Sequence, residues 1–410
     1  MSSNSVDVAI VGCGVSGASA ALAITRKNVS VSIFEEHQKV GVPSHCSGHV
    51  GIQAFKRFSP EIPHRIIENE ITGAVLQAPN GKTLTLRRPK PVTWVLNRTE
   101  LDQHLASLAE RDGAHLHMNS RVVGYHRSED GLIDLNVSNG RKQRVSCKIL
   151  IDASGCGASI SRYAGLAKPS RAILVNSAQF NVEKADDVDE DFVELYFGQK
   201  FAPGFFGWII PRRDGTVKVG IAAGARANVR ECFGRFIHKH PTVSAKLRHA
   251  KPMSPPTFHP IPVGGARDRT FTDNIMTVGD AASQVKPTTG GGIVFGLACG
   301  RIAGATAVTA VRSEDYSAQC LKEYENSWRD LIGFDLRAMS YLRRLLYRLP
   351  DPNLDRIFSI ANELGADYIL NRTSDIDFQG RTLLALARDP RLFITLLSAS
   401  ILSVPSLVRN

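Results

Sequence analysis

The chain lacks any paired-cysteine signature. Its seven cysteines are Cys13, Cys46, Cys147, Cys156, Cys232, Cys299 and Cys320, an odd number with no CxxC spacing. No His/Cys group has zinc spacing, and nothing resembles an iron–sulfur ligand run. A disulfide framework and a metal site are therefore not expected, and unpaired thiols suit a reducing compartment. No basic segment followed by an apolar run opens the chain, so no signal peptide is expected. The apolar stretch 392–408 is interrupted by Thr395, Ser398, Ser400, Ser403 and Pro405. It falls short of the ~20 clean apolar residues that span a bilayer. A cytoplasmic location follows, with peripheral attachment to the inner membrane face as the furthest membrane expectation. Repeats and low-complexity tracts are absent as well. The net charge of +11 is spread over the 410 residues with no basic tail. That balance suits a dinucleotide, a phospholipid headgroup or an anionic membrane, and no nucleic-acid partner is expected.

What is present begins with Val6–Val11, an apolar strand sequence. It runs into Gly12-Cys13-Gly14-Val15-Ser16-Gly17 and then an Ala-rich helix over 18–26. This is G-x-G-x-x-G in its required context. Gly12 permits the tight turn, Gly14 lets a pyrophosphate approach the backbone, and Gly17 lets helix and strand pack closely. The helix N-terminus offers free N–H groups to phosphates. A second strand, Val29–Phe34, ends at Glu35, about 20 residues on, where an acid accepts hydrogen bonds from ribose hydroxyls. Neighbouring Glu36 is the rival; Glu35 directly follows the apolar run.

Two later segments favour FAD over NAD. The run Ile149-Leu150-Ile151 leads into Asp152-Ala153-Ser154-Gly155, then Ser159 and Arg162. A further strand sequence ends in Gly279-Asp280-Ala281-Ala282, followed by Gly290-Gly291-Gly292 and an apolar helix from Ile293. Asp280 can accept a ribityl hydroxyl, and the Gly run before a helix presents backbone donors to a phosphate or a flavin edge. A nucleotide segment some 260 residues after the first suits the length of a ribityl-isoalloxazine.

These motifs together resemble the flavoprotein group of aromatic hydroxylases and geranylgeranyl reductases. The resemblance covers roughly residues 5–335. It implies that Arg98, in Asn97-Arg98-Thr99-Glu100-Leu101-Asp102, helps hold FAD; a plain helical ion pair with Asp102 is the alternative. It also implies that Val122 meets the adenine through its backbone. The loop Gly41-Val42-Pro43-Ser44-His45-Cys46-Ser47-Gly48 resembles the cysteine loop of archaeal geranylgeranyl reductases. That likeness places Cys46, Ser47 and Gly48 over the flavin, beside Gly291, Gly292 and Ile293. The stretch Pro203-Gly204-Phe205-Phe206-Gly207-Trp208-Ile209-Ile210-Pro211 resembles the P-x-x-Y-x-W-x-F-P signature of that family, with Phe206 for Tyr and Ile210 for Phe. Phe206 and Trp208 are thereby implicated in binding a greasy chain, against the plainer reading of a half-buried strand.

The resemblance implies an FAD-dependent oxidoreductase that saturates isolated double bonds of geranylgeranyl chains, in precursors of archaeal membrane phospholipids. Cys46 is the candidate proton donor or positioning group, and His45 the alternative acid. An electron donor such as NAD(P)H, ferredoxin or another flavoprotein is implied. Competing readings are a flavin monooxygenase or halogenase and a module passing electrons to a quinone. Of the halogenase W-x-W-x-I-P stretch, only Trp208-Ile209-Ile210-Pro211 is found.

The expected fold is α/β: a Rossmann-type FAD domain of the aromatic-hydroxylase type, an inserted antiparallel substrate sheet and a helical C-terminal region. The FAD domain is assigned to 1–72, 98–170 and 266–312, and the substrate domain to 73–97 and 171–265. The helical region is assigned to 313–410. Pro252, Pro255, Pro256, Pro260 and Pro262 mark the expected passage between domains. The Leu336–Leu349 stretch alternates apolar residues with Arg337, Arg343, Arg344 and Arg348. This pattern suits either an anionic membrane surface or a helix packed on the domain.

Overall fold

The computed structural model describes residues 5–140, 142–158, 160–161, 164–166, 174–365, 367, 371 and 376–380. Ser159, Arg162 and the apolar stretch 392–408 lie outside the described residues. The strands are β1 (Ser5–Val11), β2 (Val31–Phe34), β3 (His49–Gly51), β4 (Ile67–Ile71), β5 (Gly73–Gln77) and β6 (Thr83–Arg87). They continue with β7 (Thr93–Leu96), β8 (His115–His117), β9 (Arg121–Arg127), β10 (Ile133–Ser138), β11 (Lys142–Asp152), β12 (Leu174–Glu183) and β13 (Phe192–Phe197). The remainder are β14 (Phe206–Pro211), β15 (Thr216–Gly224), β16 (Lys251–Pro252), β17 (Thr257–Pro262), β18 (Phe271–Thr272) and β19 (Ile275–Thr277). The helices are α1 (Val15–Ile24), α2 (Ile52–Phe58), α3 (Arg98–Arg111), α4 (Val229–Lys239), α5 (Pro241–Lys246), α6 (Ile293–Ser313), α7 (Ala318–Trp328), α8 (Phe334–Leu346) and α9 (Asp351–Glu363).

The first sheet runs β18-β19-β11-β1-β2-β8, and β9 and β10 extend it from β11. Its five central strands, β19 to β8, are parallel. Burial on both faces explains their continuous apolar runs: Val8, Ile10, Ile33, Ile149 and Ile151 are all closed to solvent. Helix α6 packs along α1 through small residues. A methyl group at Gly300 would lie 2.2 Å from the Ser16 carbonyl oxygen, and one at Gly304 would lie 2.3 Å from that of Ala20. These glycines let the two backbones touch. Helix α6 is long and apolar enough to cross a membrane, but 78% of its apolar window is buried inside the fold.

The second sheet runs β16-β12-β15-β14-β13-β5-β6, with β17 also on β12. It differs from the expected sheet in three ways. Strand β5 joins β13 in parallel, because those strands come from two distant segments and no hairpin connects them. Strand β7, expected here, pairs instead with β3 and β4 in a separate three-stranded sheet. The proline-rich stretch still belongs to the sheet, since β16 and β17 both pair with β12. The prolines stay at the edge positions that need no donor. Period-two alternation sends Ile209 to a core shared with α4, and Phe206, Trp208 and Ile210 to the opposite face.

Candidate functional site

The nucleotide turn sits at the C-terminal end of β1. Gly12 has φ +95°, and a methyl there would lie 2.5 Å from the Ala153 carbonyl oxygen. A methyl at Gly17 would lie 2.0 Å from the Gly12 carbonyl oxygen. At Gly14 a methyl would meet no atom within 4 Å. Two glycines therefore serve packing, and Gly14 leaves a bare backbone facing open space at the start of α1. No side chain caps that helix, so its first N–H groups are available to an anion.

Glu35 is buried at the end of β2. Its carboxylate accepts from the Cys13 amide at 2.9 Å and the His37 amide at 3.0 Å. It is thus tied to the turn it serves. The Ser120 amide donates to the Glu35 carbonyl at 2.7 Å, which brings Val122 on β9 alongside. Glu36 points away and pairs with exposed Arg121 at 3.4 Å. These placements would put ribose on Glu35 and adenine near Val122.

At the other end, Gly292 caps α6 and again no side chain fills the cap. Asp280 lies alongside: a methyl at Gly292 would come 3.1 Å from its Oδ1. The Asp280 carboxylate makes no hydrogen bond among the described residues, and burial pushes its pKa up while Arg98 opposes the rise. Arg98 donates through Nη2 to both oxygens of Asp102, at 3.1 and 3.2 Å. The ion-pair alternative for Arg98 is therefore present. Its buried Nε has no partner, so the pairing leaves a donor for a ligand. Among the described residues, an unused carboxylate, an unused guanidinium N–H and two uncapped helix starts on helices packed against each other fit an extended dinucleotide. Glu35, Gly14, Arg98, Asp280 and Gly291–Ile293 would hold FAD.

The loop expected over the flavin is anchored from the second sheet. Lys218 on β15 is buried, pairs with Glu68 at 2.6 Å, and donates to the carbonyls of Ser47 at 3.0 Å and Leu96 at 3.3 Å. Gln179 Nε2 donates to the Cys46 carbonyl at 3.4 Å, and Gln179 Oε1 accepts from Trp208 Nε1 at 3.1 Å. Gly48 has φ +75°, where a side chain would strike the Leu96 carbonyl. Cys46 Sγ accepts the Gly48 amide at 3.4 Å and faces Arg98. His45 stacks on His259 with ring centroids 3.6 Å apart. Sequence reasoning missed Lys218, Glu68, Gln179 and His259. Lys218 was the detectable one: a lysine between Val217 and Val219 in a strand closed on both faces needs a buried partner.

Burial and the Arg98 charge lower the pKa of His45. Burial, His45 and Arg98 bring His259 down to about 3. Burial, Lys286 and Lys218 bring His49 to about 3 as well. Each folded-state pKa is below the ordinary ~6.5, so the unfolded chain binds more protons between those values. Stability should therefore fall as pH drops from about 6.5 towards 3. His259→Phe is expected to flatten that loss in urea titrations; an unchanged pH slope would count against the assignment.

Phe206 and Trp208 are packed in a closed cluster. Phe205 stacks on Phe206 at 4.4 Å, and Tyr347 covers Phe205 at 5.4 Å. A methyl at Gly290 would touch Ile261 at 3.4 Å and Phe205 at 3.6 Å. This apolar face thus abuts the turn that opens α6. Helix α8 and the residues after it bury Leu336, Met339, Leu345 and Leu349. Arg343 donates to the Gly204 carbonyl at 3.0 Å and lies 5.1 Å from the centroids of both Phe205 and Tyr347. The stretch is a helix packed on the domain, and Arg343 is one of its packing groups.

All seven cysteines are free. A parallel sheet with a glycine turn at one strand end and a second, uncapped helix start beside it defines a dinucleotide-binding flavoprotein. The family model for an FAD binding domain matches residues 5–329. Digeranylgeranylglycerophospholipid reductase of Methanocaldococcus jannaschii is 30% identical, covering 88% of this chain and 90% of that protein. Its counterpart in Methanococcus vannielii is 31% identical, covering 86% and 90%. A geranylgeranyl bacteriochlorophyll reductase-like protein of Thermoplasma acidophilum superposes with a TM-score of 0.86 at 26% identity, covering 97% of this chain and 99% of that one. A flavin-dependent brominase superposes with a TM-score of 0.70 at 15% identity and shares the fold alone. The chain belongs to the geranylgeranyl reductase family of FAD-binding proteins.

Proposed function

We propose that this chain is an FAD-dependent reductase that saturates isolated double bonds of geranylgeranyl chains, with a membrane phospholipid precursor as substrate. The observation that carries this reading is one apolar face that touches Gly290 and is tied to the Cys46 loop. Phe205, Phe206, Trp208 and Ile261 make up the face, and Gln179 joins it to the loop. An isolated alkene offers no group for polar recognition, so shape, apolar contact and water exclusion must hold it. Held by Gly14, Glu35, Arg98 and Asp280, FAD in its reduced form would supply the hydride. Cys46 gives a proton to the other alkene carbon, and His45 is the alternative acid. Glu68 and Lys218 hold the Cys46 loop in place through the Ser47 carbonyl. The electron donor is NAD(P)H, ferredoxin or another flavoprotein. Access to a lipid substrate implies contact with a membrane surface.

Dithionite-reduced protein incubated with digeranylgeranylglycerophospholipid should yield products heavier by successive additions of two hydrogens. Flavin-loaded protein that leaves the lipid mass unchanged would refute the reading. Cys46→Ala should keep its flavin and lose about 100-fold or more in turnover, the scale of a lost general acid. Full turnover in that variant would transfer the role to His45 or to water.

A further inference from the structure

Among the described residues, Arg267 is a buried cation with no hydrogen-bond partner. The residue is 8% exposed, and none of its three guanidinium nitrogens makes a hydrogen bond. The other buried cations near the site face carboxylates: Arg98 meets Asp102, Lys218 meets Glu68, and Lys286 meets Asp377. Leaving a charge desolvated and unpaired is costly, so its retention calls for an anion that arrives later.

The surroundings say which anion. The backbone of Arg267 is fixed, its amide donating to the Ala282 carbonyl at 3.3 Å and its carbonyl accepting from Arg329 at 3.0 Å. Its charge acts on Asp152 and Cys156, and Cys156 also feels Asp280. Asp152 cannot serve as the missing partner. One of its oxygens takes the Ser154 amide and hydroxyl, and the other those of Ser161. Ser283, next after Ala282, has a fully buried hydroxyl that is also unpartnered. Three turns touch here. Gly12 packs on Ala153, and Gly279 packs on the Ser16 side chain, where a methyl would lie 2.3 Å from Oγ. The charge balance points the same way: Glu35, Asp152 and Asp280 are acidic, and Arg98 is neutralised by Asp102.

We propose that Arg267 completes a phosphate-binding site where the Ser154–Gly157 turn meets the Gly279–Ala282 turn, and that its occupant is the pyrophosphate of FAD. No motif marks this residue. It stands on an irregular segment between the substrate sheet and β18, and only the fold brings it to the nucleotide turns. The same chemistry would accept a phosphate carried by a nicotinamide nucleotide or a phospholipid headgroup, and the test separates these sources.

Apoprotein of the full chain is titrated with FAD and with riboflavin, which lacks the pyrophosphate, and flavin fluorescence quenching is read. Arg267→Met should weaken FAD roughly 10- to 100-fold, the scale of lost charge-assisted hydrogen bonds, and leave riboflavin unchanged. Arg267→Lys should recover part of the loss. Removing an unpaired buried charge is neutral or stabilising, so the Met variant should fold; if it does not, Arg267→Gln carries the same comparison. If FAD affinity holds but the affinity for NADPH or for the phospholipid falls, the phosphate site stands and its occupant is that second ligand. If all three affinities are unchanged, the proposal is overturned. These readouts do not involve lipid reduction, so they stand or fall separately from the proposed activity.

Discussion

Alanine at Gly17 is expected to destabilise the apoprotein by about 3 kcal/mol or more, whereas alanine at Gly14 should leave its melting temperature in place. Both residues belong to one six-residue turn. The methyl at Gly17 would lie 2.0 Å from a backbone oxygen, which has no rotamer to escape into. Overpacking a closed core typically costs 1–3 kcal/mol, and a main-chain clash is at the upper end or beyond. Gly14 has φ −73° and ψ −176°, which alanine adopts freely, and no atom within 4 Å of the added carbon. Its methyl would occupy the space a pyrophosphate must approach. Gly14→Ala should therefore bind FAD at least about tenfold more weakly, a cost of about 1.4 kcal/mol. Thermal melts of the two apoproteins, with FAD titration of Gly14→Ala, decide the matter. Equal melting losses in both variants would show that the division of labour is misread.

The second large effect concerns Glu68. It faces two cations, buried Lys218 at 2.6 Å and half-buried Arg212 at 3.3 Å. Glu68→Leu takes the carboxylate from buried Lys218 and leaves Arg212 only Asp214, 4.0 Å away; breaking a buried pair from one side costs about 3–5 kcal/mol. Lys218→Met keeps the volume and leaves Glu68 paired with Arg212 at 3.3 Å, so it should cost less stability than Glu68→Leu. It should nonetheless release the Ser47 carbonyl, loosen the Cys46 loop, raise the alkylation rate of Cys46 and lower turnover. The two variants thus move stability and activity in opposite proportions. The pH dependence adds a check. Burial holds the Lys218 pKa below its ordinary value while Glu68 opposes the shift. Without Glu68 the depression deepens, and the unfolded state binds the extra proton between the folded value and about 10.4. Glu68→Leu should therefore recover stability relative to the parent as pH rises towards 10. Urea midpoints from pH 7 to 10 test this, and a constant difference would exclude Lys218 as the cause.

The contrast between these two sites shows which parts of the molecule the chain order reveals. The nucleotide turn, Glu35 and the Gly290–Gly292 run are each local: residues a few positions apart carry out one task, so spacing and residue type suffice. Gln179, Lys218 and His259 act together only because β12 pairs with both β15 and β17. Gln179 stands opposite Gly220 on one side and Thr257 on the other. That register is long-range and leaves no periodic mark in any single strand. The arginine-bearing helix at 334–346 was ambiguous for another reason. A basic amphipathic pattern describes a lipid surface and a domain surface equally well, and the aromatic rings that Arg343 covers come from elsewhere in the chain.

The glycine seam between α1 and α6 has a mechanical consequence. The two helices whose starts would face the phosphates and the flavin edge are packed almost backbone to backbone, with only small side chains such as Ser16, Ser19 and Ala23 between them and the Ser19 hydroxyl donating to the Leu297 carbonyl at 2.7 Å. The cofactor's bed is thus one stiff plate. A prenyl chain must still reach a cluster that is closed by Phe205, Phe206, Trp208 and Tyr347. On the proposed function, room for the chain would have to come from the other wall, where Arg343 and Tyr347 close over Phe205, and not from this plate.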